Sequence, residues 1–517
     1  MNAIRRGSTT VAALGLGVLA LLAPVGASEA AEPKVSRQEA LRRAGERADK
    51  IENRFIKTWA WYAISEETCA TDPAKAAELS EKLESWTAKR DLLAVVMYAW
   101  GKTDPKAAGD WGVKFKERTP GNLETKNTAL HYAVIGMVWK DPKLADELIW
   151  KHLQEEGWGG FPRTAPMRAA RELARSDPAA ALTMAEKIKD ESHRTDALRG
   201  IAREWAKRDP QAALAAMSAR KEQELKKDLP RDIAEGWACK DPKAAAEYAK
   251  AIPDQNRLTK VMALCYAARE LAKTNPQAAA ELCRVLAPLN VGKWHEQMPR
   301  VEIVVAEVGQ AFGKADPQAA AKWAASLPGA EGGCRAGAHD GVAAGWAAKD
   351  SKAALEFYQT KAQGENPAGN RGSGAAYPAL ARELAKTDVQ AALALVEHAR
   401  SLVLKSNVVY EAAVELASRD PKAASAVVDK WAGVIDYYTY RTGAASIVAG
   451  AWAKKDAQAA AAWAEKLDLA TDRLSALRAV AAAWVKTAPA SADSWAQGLK
   501  DHREAAYALV GLAQGLR

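Results

Sequence analysis

Apolar positions in this chain recur with a helical period, and the helical stripes come in pairs. "RTDALRGIAREWAKRD" (Arg194 to Asp209) and "RLSALRAVAAAWVKTA" (Arg473 to Ala488) place apolar residues three and four apart and end on Trp, four residues before Asp209 or Ala488. The segment after each begins afresh with Pro, small residues and then a bulky apolar one. The phrase "AARELAKTNPQAAAEL" (from Ala267) holds the join, and it recurs with small changes as "AARELARSDPAAALTM" (from Ala169) and "LARELAKTDVQAALAL" (from Leu380). Two short amphipathic helices joined by a tight turn predict an all-α chain of repeated hairpins.

Thirteen anchors align the copies: Asp72, Asp104, Asp141, Asp177, Asp209, Asp241, Asn275, Asp316, Asp350, Asp388, Asp420, Asp456 and Ala488, at intervals of 32 to 41 residues. Pro follows ten of them; Ser351, Val389 and Ala457 are the departures. An Asp or Asn side chain accepts the orphan N–H groups of a first turn, and Pro has no N–H to leave unpaired there, so each anchor predicts a helix start. Four residues on stands Ala in all thirteen copies, and seven residues on a large apolar side chain in twelve, Ala216 being the exception. Four residues before the anchor the column is again bulky, from Trp100 to Trp484, broken only by Thr68. Most of the 18 Trp fall in these two columns, where a large aromatic fills core between stacked helices.

The paired helices, the Ala-to-aromatic spacing and the Pro at the turn resemble tetratricopeptide-type repeats, with HEAT-like arrays as a second likeness. That resemblance covers about residues 72–517 and implies a right-handed superhelical binding scaffold; it transfers no functional residue. Ahead of the array, "SRQEALRRAGERADKIENRFIKTWAWYAI" begins with a capping box, Ser36 and Glu39, and its apolar face predicts one capping helix within 31–71. Residues 1–30 read as a signal peptide: Arg5 and Arg6, an apolar run from Val11 to Ala27, and small residues at Ser28 and Ala30. The expected location is therefore periplasmic or secreted, and no later apolar run is long enough to span a membrane.

Charge adds little direction. The net charge of +9 comes from Lys and Arg spread along the chain, which argues against a nucleic-acid stripe. The seven His occupy unrelated repeat positions and no zinc, phosphate-loop or nucleophile-elbow motif occurs, so no cofactor, metal or catalytic residue is expected. Two features stand off the repeat. Trp158 and Trp294 lie in connections between the two helices of a hairpin, where solenoids often bind. Arg recurs fifteen residues before the anchor at Arg194, Arg335, Arg441 and Arg473; either it pairs locally or it forms a cationic rim for an acidic partner. Cys265 and Cys283 sit at matching heights on antiparallel helices, which a disulfide or two buried thiols would satisfy. The expectation is an exported, non-enzymatic scaffold of a cell-envelope assembly, elongated and curved, binding a protein or an acidic peptide. A glycan-binding or cell-wall role is the alternative. So is a closed α/α-toroid enzyme, which would need acids pointing inward.

Overall fold

The computed structural model describes residues 36–118, 123–153, 161–289, 301–328, 333–362, 376–399, 401–433 and 438–517. Among them are 28 α-helices and no strand; no helix is long and apolar enough to cross a membrane. The proposed signal peptide lies outside the described residues.

Each anchor does the local work expected of it. The side chains of Asp72, Asp104, Asp141, Asp177, Asp209, Asp241, Asn275, Asp316, Asp350, Asp388, Asp420 and Asp456 all accept the backbone N–H three residues on. Their own N–H groups close the preceding helix on the carbonyl four residues back, as in Asp241 to Trp237 O at 2.8 Å. One pair of hydrogen bonds thus ends one helix and starts the next. Ala488 starts its helix without a side-chain cap.

Call the helix after each anchor outer and the helix before it inner. All thirteen Ala residues four past the anchor are fully buried, because there the outer helix presses backbone-close on its inner partner. The two bulky columns then meet across the turn: Trp100 with Trp111, Trp237 with Tyr248, Phe312 with Trp323, Trp346 with Phe357, Trp452 with Trp463 and Trp484 with Trp495, ring centroids 5.5 to 6.2 Å apart. Tilted and edge-on pairs of this kind add to the area they bury. Trp323 also donates its indole N–H to Ala280 O of the preceding outer helix at 2.8 Å.

Successive hairpins are tied by a chain of cations absent from the expectations. Lys140, Arg208, Lys240, Lys349, Arg419 and Lys455, each immediately before its anchor, donate to a carbonyl at the end of the previous inner helix. A cation at a helix C-terminus satisfies a free carbonyl and opposes the dipole. Inner helices pack on inner helices all along the array, whereas among the described outer helices Pro105–Arg118 and Pro142–His152 stand closest and others touch chiefly through side chains such as Trp323. A layer in continuous contact beside a splayed one curves with the former inside. The tightest inner contact joins Val301–Ala315 to Cys334–Trp346, where a Cβ on Gly341 would lie 2.0 Å from Ala306 O; only glycine permits that backbone approach.

The N-terminal segment departs from the single capping helix. It forms two helices, Arg37–Asp49 and Arg54–Cys69, because Asn53 caps a new start by accepting from Ile56 N at 3.0 Å. With the break at Asn53, Phe55 is 66% exposed. These two helices are a fourteenth hairpin: they pack on the last inner helix, His502–Gly515. Arg43 pairs with Asp493 at 3.3 Å, Arg47 donates to Gln497 O at 2.8 Å, and Arg478 and Arg517 reach the buried carboxylate of Glu67. A single hydrophobic cluster runs from Ala40 to Ile233 and resumes from Ala445 to Ala513, so the core passes through this seam. The superhelical array therefore closes on itself, which corrects the expected elongated body: the first hairpin covers the apolar face that the last inner helix would otherwise expose.

Core and inner-wall Trp should separate on mutation. Trp323→Ala, losing a side chain only 2% exposed, is expected to cost about 3–5 kcal/mol, and Trp139→Ala at an exposed position about 0.5 kcal/mol or less; denaturant titration followed by circular dichroism measures both.

Candidate functional site: the inner wall

At 100° per residue, the side of an inner helix opposite its core column carries the positions two, six, nine and thirteen residues before the anchor. These face the centre of the ring, and their composition changes around it. On Arg54–Cys69, Trp86–Thr103 and Leu123–Met137 with the turn after it, the face holds Trp59, Val95, Tyr98, Tyr132 and Trp139; Val95 is 49% exposed and Trp139 41%. Trp59 packs on Tyr62 at 5.3 Å, and Lys102 sits over Tyr98 at 5.4 Å. This is an aromatic sector open to the interior of the ring.

The next five inner helices carry a charged sector, and Arg168 makes the junction by donating to Tyr132 Oη at 3.2 Å. Two buried carboxylates organise it. Asp232, on Gln223–Lys240, receives Arg199 Nε at 2.9 Å, Arg203 Nη2 at 2.8 Å and Arg231 Nη2 at 3.0 Å. Glu204, on Glu191–Ala206, receives Lys207 at 2.8 Å, Arg175 at 3.1 Å and Arg171 at 3.3 Å. The acids are 0% and 1% exposed, while Arg199 and Arg203 keep 23%, Arg175 41% and Arg171 44%. These two acids lie underneath their arginines, whose other donors pair with the partly exposed Asp228, at 3.1 Å from Arg199, and Glu235, at 2.9 Å from Arg203, so the face presents both signs. Arg269 continues the row by pairing with Glu307 at 2.5 Å.

Burial acts on these carboxyls unequally. It raises the pKa of Glu204, but hydrogen bonds from Lys207 and Arg175 outweigh it and the net shift is downward. For Glu235 burial prevails over Arg203, with Asp232 adding repulsion, and the pKa rises; burial raises Asp228 likewise. Raised carboxyls beside arginines are a pattern found at functional sites.

The expected site residues fall elsewhere. Trp158 and Trp294 lie outside the described residues, as does the side chain of Arg441. Arg194 donates to Ile188 O at 3.0 Å, Arg335 to Leu327 O at 2.9 Å, and Arg473 to Leu467 O. Arg194 and Arg473 also reach Glu222 at 3.5 Å and Glu504 at 2.8 Å in the next hairpin. All three described arginines fasten the inter-helix connection, and Arg194 and Arg473 also tie it to the next hairpin, which is the local pairing of the two alternatives. Cys265 and Cys283 are buried free thiols in the structure, not a disulfide, close enough to Cys334 to feel its charge; burial pushes the Cys265 thiol up to about 12. Among the described residues no His, Cys, Asp and Glu group is arranged to hold a metal ion. A cleft of about 620 Å³ lies between the outer helices Ala457–Ala464 and Pro489–Gly498, floored by Trp484 and Trp495.

The signal that could have found the inner wall was in the repeated phrase itself: Arg171, Arg203, Arg269 and Arg382 all stand six residues before an anchor. No family model, curated protein or solved structure matches the chain.

The two classes of carboxyl predict opposite substitutions. Glu204 has a lowered folded pKa, so its stabilisation is complete above the ordinary carboxylate range near 4.3 and is lost as pH falls through the folded value. Glu204→Gln should cost about 1.5–3 kcal/mol at pH 7, with the difference from wild type shrinking below about pH 4. Glu235 has a raised pKa, so its charge opposes folding at neutral pH; Glu235→Gln should leave stability equal or higher at pH 7. Thermal melts across pH 3–8 distinguish the two.

Proposed function

We propose that the protein is a non-catalytic binding ring, an exported scaffold of a cell-envelope assembly whose inner wall holds a polypeptide. The observation that carries this reading is the inner wall: an exposed aromatic sector joined at Tyr132 and Arg168 to arginines held in place by buried carboxylates. Arginines fixed in this way lose little further side-chain entropy on meeting a ligand, and aromatic and Arg side chains are the ones that dominate polypeptide interfaces. The tetratricopeptide likeness of the hairpins, whose relatives bind peptides in a concave groove, adds to the reading.

A second reading rests on Asp228 and Glu235. Inward carboxyls with raised pKa values are what general acid catalysis on a glycan would use in an α/α-toroid enzyme. It predicts that Glu235→Gln abolishes a hydrolytic activity on cell-wall material, and the binding reading predicts that no such activity exists.

Cys239, exposed and two residues before its anchor on the inner face, allows a direct test. A benzophenone maleimide attached there, then illuminated in envelope extract, should capture a protein. The same label at Lys243→Cys on the outer helix Pro242–Lys250, in a Cys239→Ser background, should not. Equal capture from both faces, or glycan alone at Cys239, would reject the reading.

A further inference from the structure

The turns that carry the anchors form a surface of their own. We infer that this edge of the ring docks on an anionic lipid bilayer, whatever the inner wall holds. Three observations carry it.

The first is where the charge sits. The two positions before each anchor, the anchor and the two after it hold nineteen Lys and Arg against eleven Asp, and the only acids there are the anchors themselves. That is a net of +8 on these positions, where the whole chain carries +9, so the remaining sequence is close to neutral. Along the chain the excess is inconspicuous, because no repeat contributes more than two of the cations. The fold collects them. Successive turns lie side by side, since the cation directly before an anchor donates to a carbonyl of the previous turn, as Lys240 does to Arg208 O and Lys455 to Arg419 O. Closure of the array then joins the turns into one continuous edge.

The second is which of these charges face outward. The anchor carboxylates are turned into first helical turns, where they accept backbone N–H groups and meet the positive end of a helix dipole. Five of the nineteen cations, Lys106, Arg175, Lys207, Lys273 and Lys386, pair with acids set five or six residues back from an anchor. Six more donate to carbonyls, which satisfies their hydrogen bonds and leaves their charge uncancelled. The other eight are exposed lysines, among them Lys243, Lys314, Lys352 and Lys422, and they make no ion pair among the described residues.

The third is shape and residue type. A linear polyanion follows only an arc of a closed edge, whereas a flat surface meets many turns together. Sixteen of the nineteen cations are lysines, compact hydrated charges that suit a diffuse field of headgroups better than bidentate recognition of a single group. Each basic residue held near an anionic leaflet adds to the attraction, which fades within a Debye length. Trp139, 41% exposed beside Lys140 on this edge, has the apolar body and polar N–H of a side chain that rests at headgroup level. Among the described residues no other position within two of an anchor carries a large exposed apolar side chain, so the ring rests on the headgroups and salt releases it.

The test uses the mature chain, which lacks the apolar run from Val11 to Ala27, and follows its co-sedimentation with phosphatidylglycerol or phosphatidylcholine vesicles. The chain should sediment with the anionic vesicles at low salt, stay in solution with the neutral ones, and be released as salt is raised. A variant carrying Lys243→Glu, Lys314→Glu, Lys352→Glu and Lys422→Glu should bind about tenfold more weakly or worse. A variant matched in charge, with Lys189→Glu, Lys226→Glu, Lys466→Glu and Lys500→Glu at the opposite ends of the hairpins, should lose about twofold or less. Thermal melts check that both fold, and the vesicle and salt comparisons need neither. Binding to neither vesicle, equal binding to both, indifference to salt, or equal weakening by the two variants would overturn the inference. Tighter binding of inorganic polyphosphate than of the anionic vesicles, at equal phosphate, would assign the edge to a linear polymer and overturn it as well.

Discussion

Glu67 is buried where the last helix of the array meets the first hairpin, and three guanidinium groups converge on it: Arg517 at 2.7 Å, Arg478 at 3.2 Å and Arg37 at 3.5 Å. A buried carboxylate is costly unless it is paired, so this residue belongs in the core only when residues 411 and 450 positions from it are in place. That condition makes the seam specific. The apolar core crossing it supplies the affinity, and the ion pairs and the Arg47 contacts set the register at which the first hairpin docks. An open array would expose the apolar faces of Arg37–Asp49 and His502–Gly515 and leave Glu67 without the partners from Arg478 and Arg517.

Closure changes what the repeat positions mean. In an open stack the inner side of the curve is one face of a ribbon; in a ring it is an enclosed wall. The division of labour is then clear. Buried Ala and paired aromatics hold outer helix to inner helix, a cation before six of the anchors holds hairpin to hairpin, and the four inner-facing positions differ from sector to sector, from exposed Val95 and Trp139 to buried Asp232 and Gly341.

What could be read in the chain is what neighbouring residues determine. The Asp caps, the Pro that follows them and the two bulky columns are local chemistry, and the helices begin where that chemistry places them. Ring closure was not legible because it is the sum of small rotations over fourteen hairpins, and because its decisive partners, Arg478 and Glu67, carry no mark of each other in sequence. Apolar spacing continues through Ile51 and so predicts one helix where the chain forms two; the Asn53 cap is the local sign of the break. Recurrence of the arginines fifteen residues before the anchor reflects fastening of a connection. The inner wall carries no such mark, because its Arg and Glu have the pattern of any solvated helix face until the helices are placed around the ring.

The central claim, that the array closes through the seam, is open to one direct measurement. In a Cys69→Ser, Cys239→Ser background, Arg43→Cys and Asp493→Cys replace a pair joined at 3.3 Å, and a short bis-maleimide is added to dilute protein. The account predicts efficient intramolecular linkage in the monomer, seen by mass spectrometry as a peptide joining residues 43 and 493. Failure to link within the monomer, or linkage only between molecules, would contradict it.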